Sequence, residues 1–492
     1  MTSRTRRSLR IASLAIAGAI TVGAAPAVTP AVVAGVKTVM AEATLLDTES
    51  WIMGGSGLPI PPPSYLTAVS ERFIDPTAYP HFSGGQPLFT GQPQFPVDSS
   101  NALFTPEGLY PLTGVKTLEL DPSLSQGVQI LNNTINGQIA EGNNLIVLGY
   151  SQSATINSLE MKSLLALPPA EQPTAEQLAF VLLGDPSNPD GGLLSRFAVP
   201  GVPLTIPSVG ITFSGATPSD TPWDTAIYTQ EYDGFADFPK YPLNFLSDLN
   251  AFLGIMFVHG SYPSISADKI GTAIQLPVSD DYTGHTQYFM IPTETLPLAQ
   301  LISSIPLIGK PIADLLEPDL RILVNLGYGS TTDGWDPGPA NVATPFGLFP
   351  DSVSPGEVIS ALAQGTQEGF SAFANDLLHP SLPSVADVIS NGAAGGLPSL
   401  TDIVNAFTSA MASGYATLLP TADIINFLVT TLPAYNVSLF LHELASGNLL
   451  NAVGMPIAAD VGLSTMAAGF EVEVVMNTVS EIEAAFKDLI PS

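Results

Sequence analysis

The sequence predicts an α/β fold, with a central parallel sheet covered on both faces and a helical region appended at the C-terminal end. Three observations carry this. The stretches LIVLGY at 145–150, AFVLLGD at 179–185 and AIYTQEYD at 226–233 are apolar on both faces instead of alternating, as strands of a doubly covered parallel sheet are. Segments with helical spacing separate them, such as LSQGVQILNNTINGQIA at 124–140. From about residue 355 onward the chain turns Ala/Leu/Ile-rich with helical spacing throughout.

Taken in order, the chain opens with Arg4, Arg6, Arg7 and Arg10, then the apolar run IASLAIAGAITVGAA, then Ala25-Pro26-Ala27. That three-part layout predicts a secretory signal over residues 1–27, in a run too short to span a bilayer. Residues 48–56, TESWIMGGS, read as a short strand entering the Gly/Pro-rich loop GGSGLPIPPPSY. VKTLEL at 115–120 reads as a further strand. The Pro/Gly-rich stretch 186–223 has no helical period and is expected to form loops, or a small hairpin, over one rim of the sheet. In the tail, LPSVADVI at 382–389, LPSLTDIV at 397–404 and LPTADII at 419–425 form a degenerate repeat. Pro, then Ser or Thr, then Asp predicts three helix starts. The expected organisation is thus a signal at 1–27, an α/β domain at 48–330 and a helical region at 355–492.

Composition narrows the partners. Of 492 residues 45% are hydrophobic and 12% charged, with a mean hydropathy of +0.31. Large apolar faces therefore meet something other than water, and association with an envelope through such a surface is expected. The net charge of −30 repels phosphate backbones, so no nucleic acid is expected as a partner. The chain has no cysteine, hence no disulfide, thiolate nucleophile or Cys-based metal site. No cofactor or metal is expected.

The chemistry is expected at Gly149-Tyr150-Ser151-Gln152-Ser153, where a buried strand runs into a helical segment. A Gly-x-Ser-x-small turn at the C-terminal end of a parallel strand holds its serine in a tight elbow with the hydroxyl exposed. The helix starts near Gln152, whose free amide becomes an oxyanion donor. A serine hydroxyl needs a base and an orienting carboxylate, and in this setting they follow in the order acid, then histidine. Asp233 leaves the strand 226–233 directly, Asp237 lies four residues on, and Asp185 ends one strand early. Of the five histidines, His81 precedes the serine, and His379 and His442 lie in the helical tail. His259, at the end of a long apolar helix, and His285, at the start of a β-like segment, remain as candidate bases.

GYSQSAT is similar to the nucleophile elbow of cutinases. The stretches WIMGGSGLPIP, VLGYSQSATI, NPDGGLLSRF, EYDGFADFPKYPLNFLSDLNAFLGIMFVHGSYP and LRILVNLGYG, in order over more than half the chain, resemble the PE-PPE domain family of mycobacteria. The resemblance implies a cutinase-like α/β-hydrolase fold. It places a Ser, Asp, His triad on Ser151, Asp233 and His259, and completes the oxyanion hole with Gly55 or Ser56 beside Gln152. His259-Gly260-Ser261-Tyr262 is similar to the His-x-x-Tyr of cutinases. The chain departs from its models in having no disulfides and in carrying a signal sequence where the family has a PE or PPE module. The implied function is a secreted or envelope-associated serine carboxylester hydrolase acting on acyl or lipid esters. An acyltransferase of envelope glycolipids using the same triad is one alternative, and a non-catalytic envelope protein on a hydrolase scaffold is another.

Overall fold

In the computed structural model, residues 48–74, 99–306, 308–379 and 400–487 are described, all within a compact unit that begins at Leu46. The expected signal at 1–27, His81 and the repeat at 382–389 lie outside the described residues. Among the described residues nine strands occur in chain order: β1 (Thr48–Ile52), β2 (Ser99–Ala102), β3 (Asn144–Tyr150), β4 (Leu178–Leu183), β5 (Thr205–Ile206), β6 (Ile211–Thr212), β7 (Asp224–Gln230), β8 (Ile274–Gln275) and β9 (Thr286–Ile291). Seven build one sheet in the order β2-β1-β3-β4-β7-β9-β8, parallel throughout except that β8 runs antiparallel to β9. The pair β5-β6 is a small antiparallel hairpin inside the 186–223 stretch.

Both faces of the central strands are covered. In β3, Leu145 and Val147 join one core cluster with Leu131 and Ile135, while Ile146 and Leu148 join another with Val69 and Phe73. Successive residues of a strand point to opposite faces, so a strand buried on both sides has no polar position to spare. The helices are α1 (Pro63–Val69), α2 (Leu120–Glu141), α3 (Gln152–Leu165), α4 (Leu193–Arg196), α5 (Phe245–Phe257), α6 (Ala267–Ile270), α7 (Pro297–Ser303), α8 (Gly309–Asn325) and α9 (Pro355–Leu378), followed by α10 (Leu400–Asn426), α11 (Leu432–Ala445) and α12 (Leu449–Lys487). A π-helical turn at Phe427–Thr431 joins α10 to α11. This is an α/β-hydrolase architecture with a C-terminal helical region. That region shares a core cluster with the domain, in which Leu432, Leu463 and Met466 pack with Phe197, Phe238 and Phe252.

Two expectations are corrected. Residues 115–120 form turns leading into α2, not a strand: the Thr113 and Thr117 hydroxyls bond each other at 2.9 Å and the Thr117 hydroxyl donates to the Gly114 carbonyl at 2.8 Å. The strand beside β1 is the polar segment SSNA, at the edge of the sheet, where few side chains need be apolar. LPTADII at 419–425 is not a helix start, since Pro420 lies inside α10. Asp423 there accepts from the Tyr110 hydroxyl at 2.6 Å, and Thr421 donates to Glu471 at 2.6 Å. These tertiary bonds outweigh a capping signal that contributes about 1 kcal/mol.

Candidate active site

Ser151 stands between the end of β3 and the start of α3 with φ +59° and ψ −117°. A non-glycine residue held there is strained, and the surroundings hold it. The Ser151 amide donates to Leu183 O of the neighbouring strand at 2.9 Å. The Ser153 hydroxyl bonds the amide and the carbonyl of Tyr150, at 2.8 and 3.1 Å. Position 149 must be glycine, because a Cβ there would lie 2.4 Å from the Ser153 carbonyl oxygen. At the start of α3 the Gln152 amide has no intramolecular partner among the described residues, as the first amides of a helix do not. Ser56, in the loop after β1, donates from its hydroxyl to Gln152 Oε1 at 2.9 Å, and Gln152 Nε2 donates to Ser123 Oγ at 2.6 Å. Gly55 faces the Tyr150 ring and the Ser151 Cβ. The loop carrying Gly55 and Ser56 is thereby held against the elbow.

His259 opens a 3₁₀ turn (His259–Ser264) just past α5. Its Nε2 lies 2.8 Å from Ser151 Oγ, and its Nδ1 lies 2.8 Å from both carboxylate oxygens of Asp233. With Nδ1 donating to the carboxylate, Nε2 is left to accept the serine proton. Helix α5 and the acid-bearing turn meet backbone to backbone: a Cβ on Gly254 would lie 1.7 Å from Tyr232 O, so glycine is required for the helix to bring its end to Asp233. Asp233 also accepts from the Phe235 amide at 3.1 Å and from the Tyr262 hydroxyl at 2.8 Å. The Tyr262 oxygen in turn accepts from the Gln230 amide at 2.8 Å. Burial, and then the Asp233 charge, push the Tyr262 phenol well above its ordinary pKa and keep it a donor. The imidazole is enclosed by aromatic rings, stacked on Tyr150 at 5.3 Å and met edge-on by Phe235 at 4.8 Å.

The other candidates lie elsewhere. Asp237 is fully buried and accepts from the Tyr232 amide at 2.9 Å, and burial pushes its carboxyl well above the ordinary range. Asp185 accepts from Ser187 and Thr217, and burial raises it to about 6. His285 faces Asp224 at 3.2 Å, at the start of β7 and β9. Tyr262, Ser123 and the rings around His259 were not given roles by the sequence reading, because no local pattern distinguishes them from core residues; only the His-x-x-Tyr spacing pointed to Tyr262.

The PE-PPE domain model matches residues 96–329. Over 479 residues the chain is 42% identical to the PPE family protein PPE28 of Mycobacterium tuberculosis, covering 92% of this chain and 69% of that one. The chain belongs to the PE-PPE domain family. Esterase PE16 of the same organism is 44% identical to this PE-PPE chain over 304 residues, covering 62% of this chain and 52% of PE16. The SL1278 acyltransferase Chp1 is 26% identical over 270 residues, covering 54% and 62% respectively. The chain thus spans about half to two thirds of these relatives' own length. With its fold and these relatives, the protein is an enzyme of the serine hydrolase and acyltransferase type.

In this PE-PPE chain the elbow opens into a cavity of about 1060 Å³, counting its mouth. Ser56, Ser151, Gln152 and Thr155 form its polar end. The rest of the lining is almost entirely hydrocarbon, from Leu109 and Leu120 through Ile206 and Phe213 to Ile424 and Phe470.

Proposed function

We propose that the chain is an exported carboxylester hydrolase acting on acyl esters, with Ser151 as nucleophile, His259 as base and Asp233 as the orienting acid. The observation that carries this is the hydrogen-bonded row Asp233, His259, Ser151 on a strained elbow. Ser151 Oγ gives its proton to His259 Nε2 and attacks the ester carbonyl. The negative oxygen that forms faces the amide of Gln152 and those of the Gly55-Ser56 loop. The C–O bond to the alcohol then breaks, His259 returns the proton to the departing oxygen, and the acyl group remains on Ser151. Water, deprotonated by His259, releases the acid and restores the serine. Asp233 holds the imidazole in the required tautomer and offsets its positive charge.

An acyltransferase reading is favoured by the likeness to Chp1 and to the diacyltrehalose acyltransferase Chp2, 25% identical over 231 residues. In it a sugar hydroxyl replaces water in the second half. Export is supported by the signal pattern at 1–27. Envelope association is supported by Val404–Ala445, a 42-residue helical stretch holding an 18-residue window of mean hydropathy 1.5, in which Phe407, Tyr415, Leu418 and Val429 are more than half exposed. A fluorophosphonate probe should label the purified chain and fail to label Ser151→Ala; equal labelling of both would remove Ser151 as nucleophile. Trehalose added to an ester assay separates the two readings by whether acyl transfer outruns hydrolysis.

A further inference from the structure

We propose that α12 and the end of α10 form the closing wall of an acyl-chain site, so that Met466, Ala467 and Phe470 measure the length of a single hydrocarbon chain carried by Ser151. The inference rests on the reading of Ser151 as the acyl-bearing residue. It goes beyond that reading in assigning specificity to a part of the chain outside the family domain, which ends at residue 329.

The cavity that begins at Ser151 has no protein of the domain itself on one side. Ile424, Phe427, Leu463, Met466, Ala467 and Phe470 close that side. None of them carries a hydrogen-bonding group, so the far end offers nothing to an alcohol, a sugar or a charged group. A hydrocarbon chain loses no hydrogen bonds on entering and gains its full burial energy, whereas a polar occupant would be stranded. Ser56, Ser151, Gln152 and Thr155 gather at the serine end, and the hydroxyl of the one other polar lining residue, Tyr110, is already given to Asp423, which fixes the orientation: carbonyl at Ser151, chain toward α12.

The wall is held in register with the reacting centre. The site of a Cβ on Gly469 lies 2.3 Å from the Phe252 ring of α5, so the α12 backbone sits directly on the helix that leads into His259. Phe470 stacks on Phe235 with centroids 6.2 Å apart and planes at 21°, and Phe235 meets the His259 ring edge-on at 4.8 Å. Close-packed interiors relax little when one side chain changes size. A larger residue at 467 therefore shortens the space measured from Ser151, and a smaller one at 466 lengthens it.

The test uses the full chain and reads two quantities. The first is kcat/KM across p-nitrophenyl esters from acetate to palmitate; the second is binding of cis-parinaric acid to Ser151→Ala, which needs no turnover. For the native chain kcat/KM should climb by up to about 4-fold per methylene until the site is full. Ala467→Phe should move that optimum to shorter esters by several carbons and weaken parinaric acid by about 10-fold or more. Met466→Ala should move the optimum to longer esters, and Val472→Phe, on the half-exposed outer side of α12, should leave it in place. Folding of each variant is checked by its melting temperature. If folded Ala467→Phe and Met466→Ala both keep the native optimum and the native affinity, the wall does not measure the chain and the proposal falls, while the hydrolase reading stands. If no ester is turned over yet parinaric acid binds and responds to Ala467→Phe, the acyl site stands and the hydrolase reading falls.

Discussion

His259 and His285 each present Nδ1 to an aspartate attached to β7, at opposite ends of that strand. Asp233 follows its C-terminal end and Asp224 is its first residue. The strand has seven residues, which places the two pairs on the order of 20 Å apart. The contacts are 2.8 Å for His259 and 3.2 Å for His285. What differs is the company. The His259 side chain is 9% exposed, its Nε2 meets a serine, and Tyr150, Phe235 and Tyr262 surround the pair. The His285 side chain is 42% exposed, and its carbonyl oxygen accepts from the Thr225 amide where the two strands begin. A His-Asp contact is therefore cheap to make anywhere on the sheet. Only the C-terminal ends of the parallel strands bring in the β3 elbow and the loops that exclude water.

The largest expected effect breaks this comparison outright if it fails. His259→Ala should lower kcat/KM by about 10⁴-fold or more, since the loss of one member disables the set. His285→Ala should leave turnover within about 2-fold and cost about 1–3 kcal/mol of stability, since it takes one partner from the buried Asp224. Ester turnover and thermal unfolding of the two purified variants decide it. An inactive His285→Ala beside an active His259→Ala would reverse the assignment.

A smaller effect sharpens the comparison through the tyrosine hydroxyl that supports Asp233. Tyr262→Phe removes the donor from Asp233 Oδ2 while leaving ring and packing in place. A hydrogen bond to a charged group is worth about 1.5–3 kcal/mol. The variant should lose about 10-fold or more in kcat with KM little changed, because Tyr262 acts through Asp233 and not on the substrate. A change confined to KM, or to melting temperature, would make Tyr262 a packing residue.

Much of this is legible in the amino-acid sequence. The strands at 145–150, 179–185 and 226–233 announce themselves because burial on both faces forces an unbroken apolar run, and the elbow announces itself because only a small residue fits at 149. What stayed hidden depends on partners far away in sequence. SSNA carries no pattern because an edge strand is specified by its neighbour's register, Glu49 to Ser99 and onward. VKTLEL has strand composition, yet two threonine hydroxyls and Gly114 close it into turns. Pro420 looks like a helix start, yet α10 runs through it under contacts from Tyr110 and Glu471. The sequence left Asp233 and Asp237 as alternatives, since both follow the same strand; which one turns toward His259 is decided by α5 docking on Tyr232 and Gly234.

That pair of aspartates supports the smallest and most local prediction. Asp237 lies in the same turn as Asp233, and its amide donates to the Asp233 carbonyl at 2.6 Å, but its own carboxyl points into the interior. One oxygen accepts from Tyr232, and the other has no partner among the described residues. Burial is the first cause of its raised pKa, so the folded chain retains a proton there that the unfolded chain releases above the ordinary value of 3.8. Retention of a proton by the folded state alone means that this group's contribution is fully present below 3.8 and is lost as pH climbs toward the raised value. Asn has the same shape and no proton to lose. The melting temperature of Asp237→Asn relative to the native chain should therefore rise as pH climbs above the ordinary carboxylate value of 3.8, with ester turnover retained throughout. A difference that stays constant across that range would mean Asp237 is ionised in the fold, and a loss of turnover on the scale of a missing triad member would transfer the acid's role from Asp233 to Asp237.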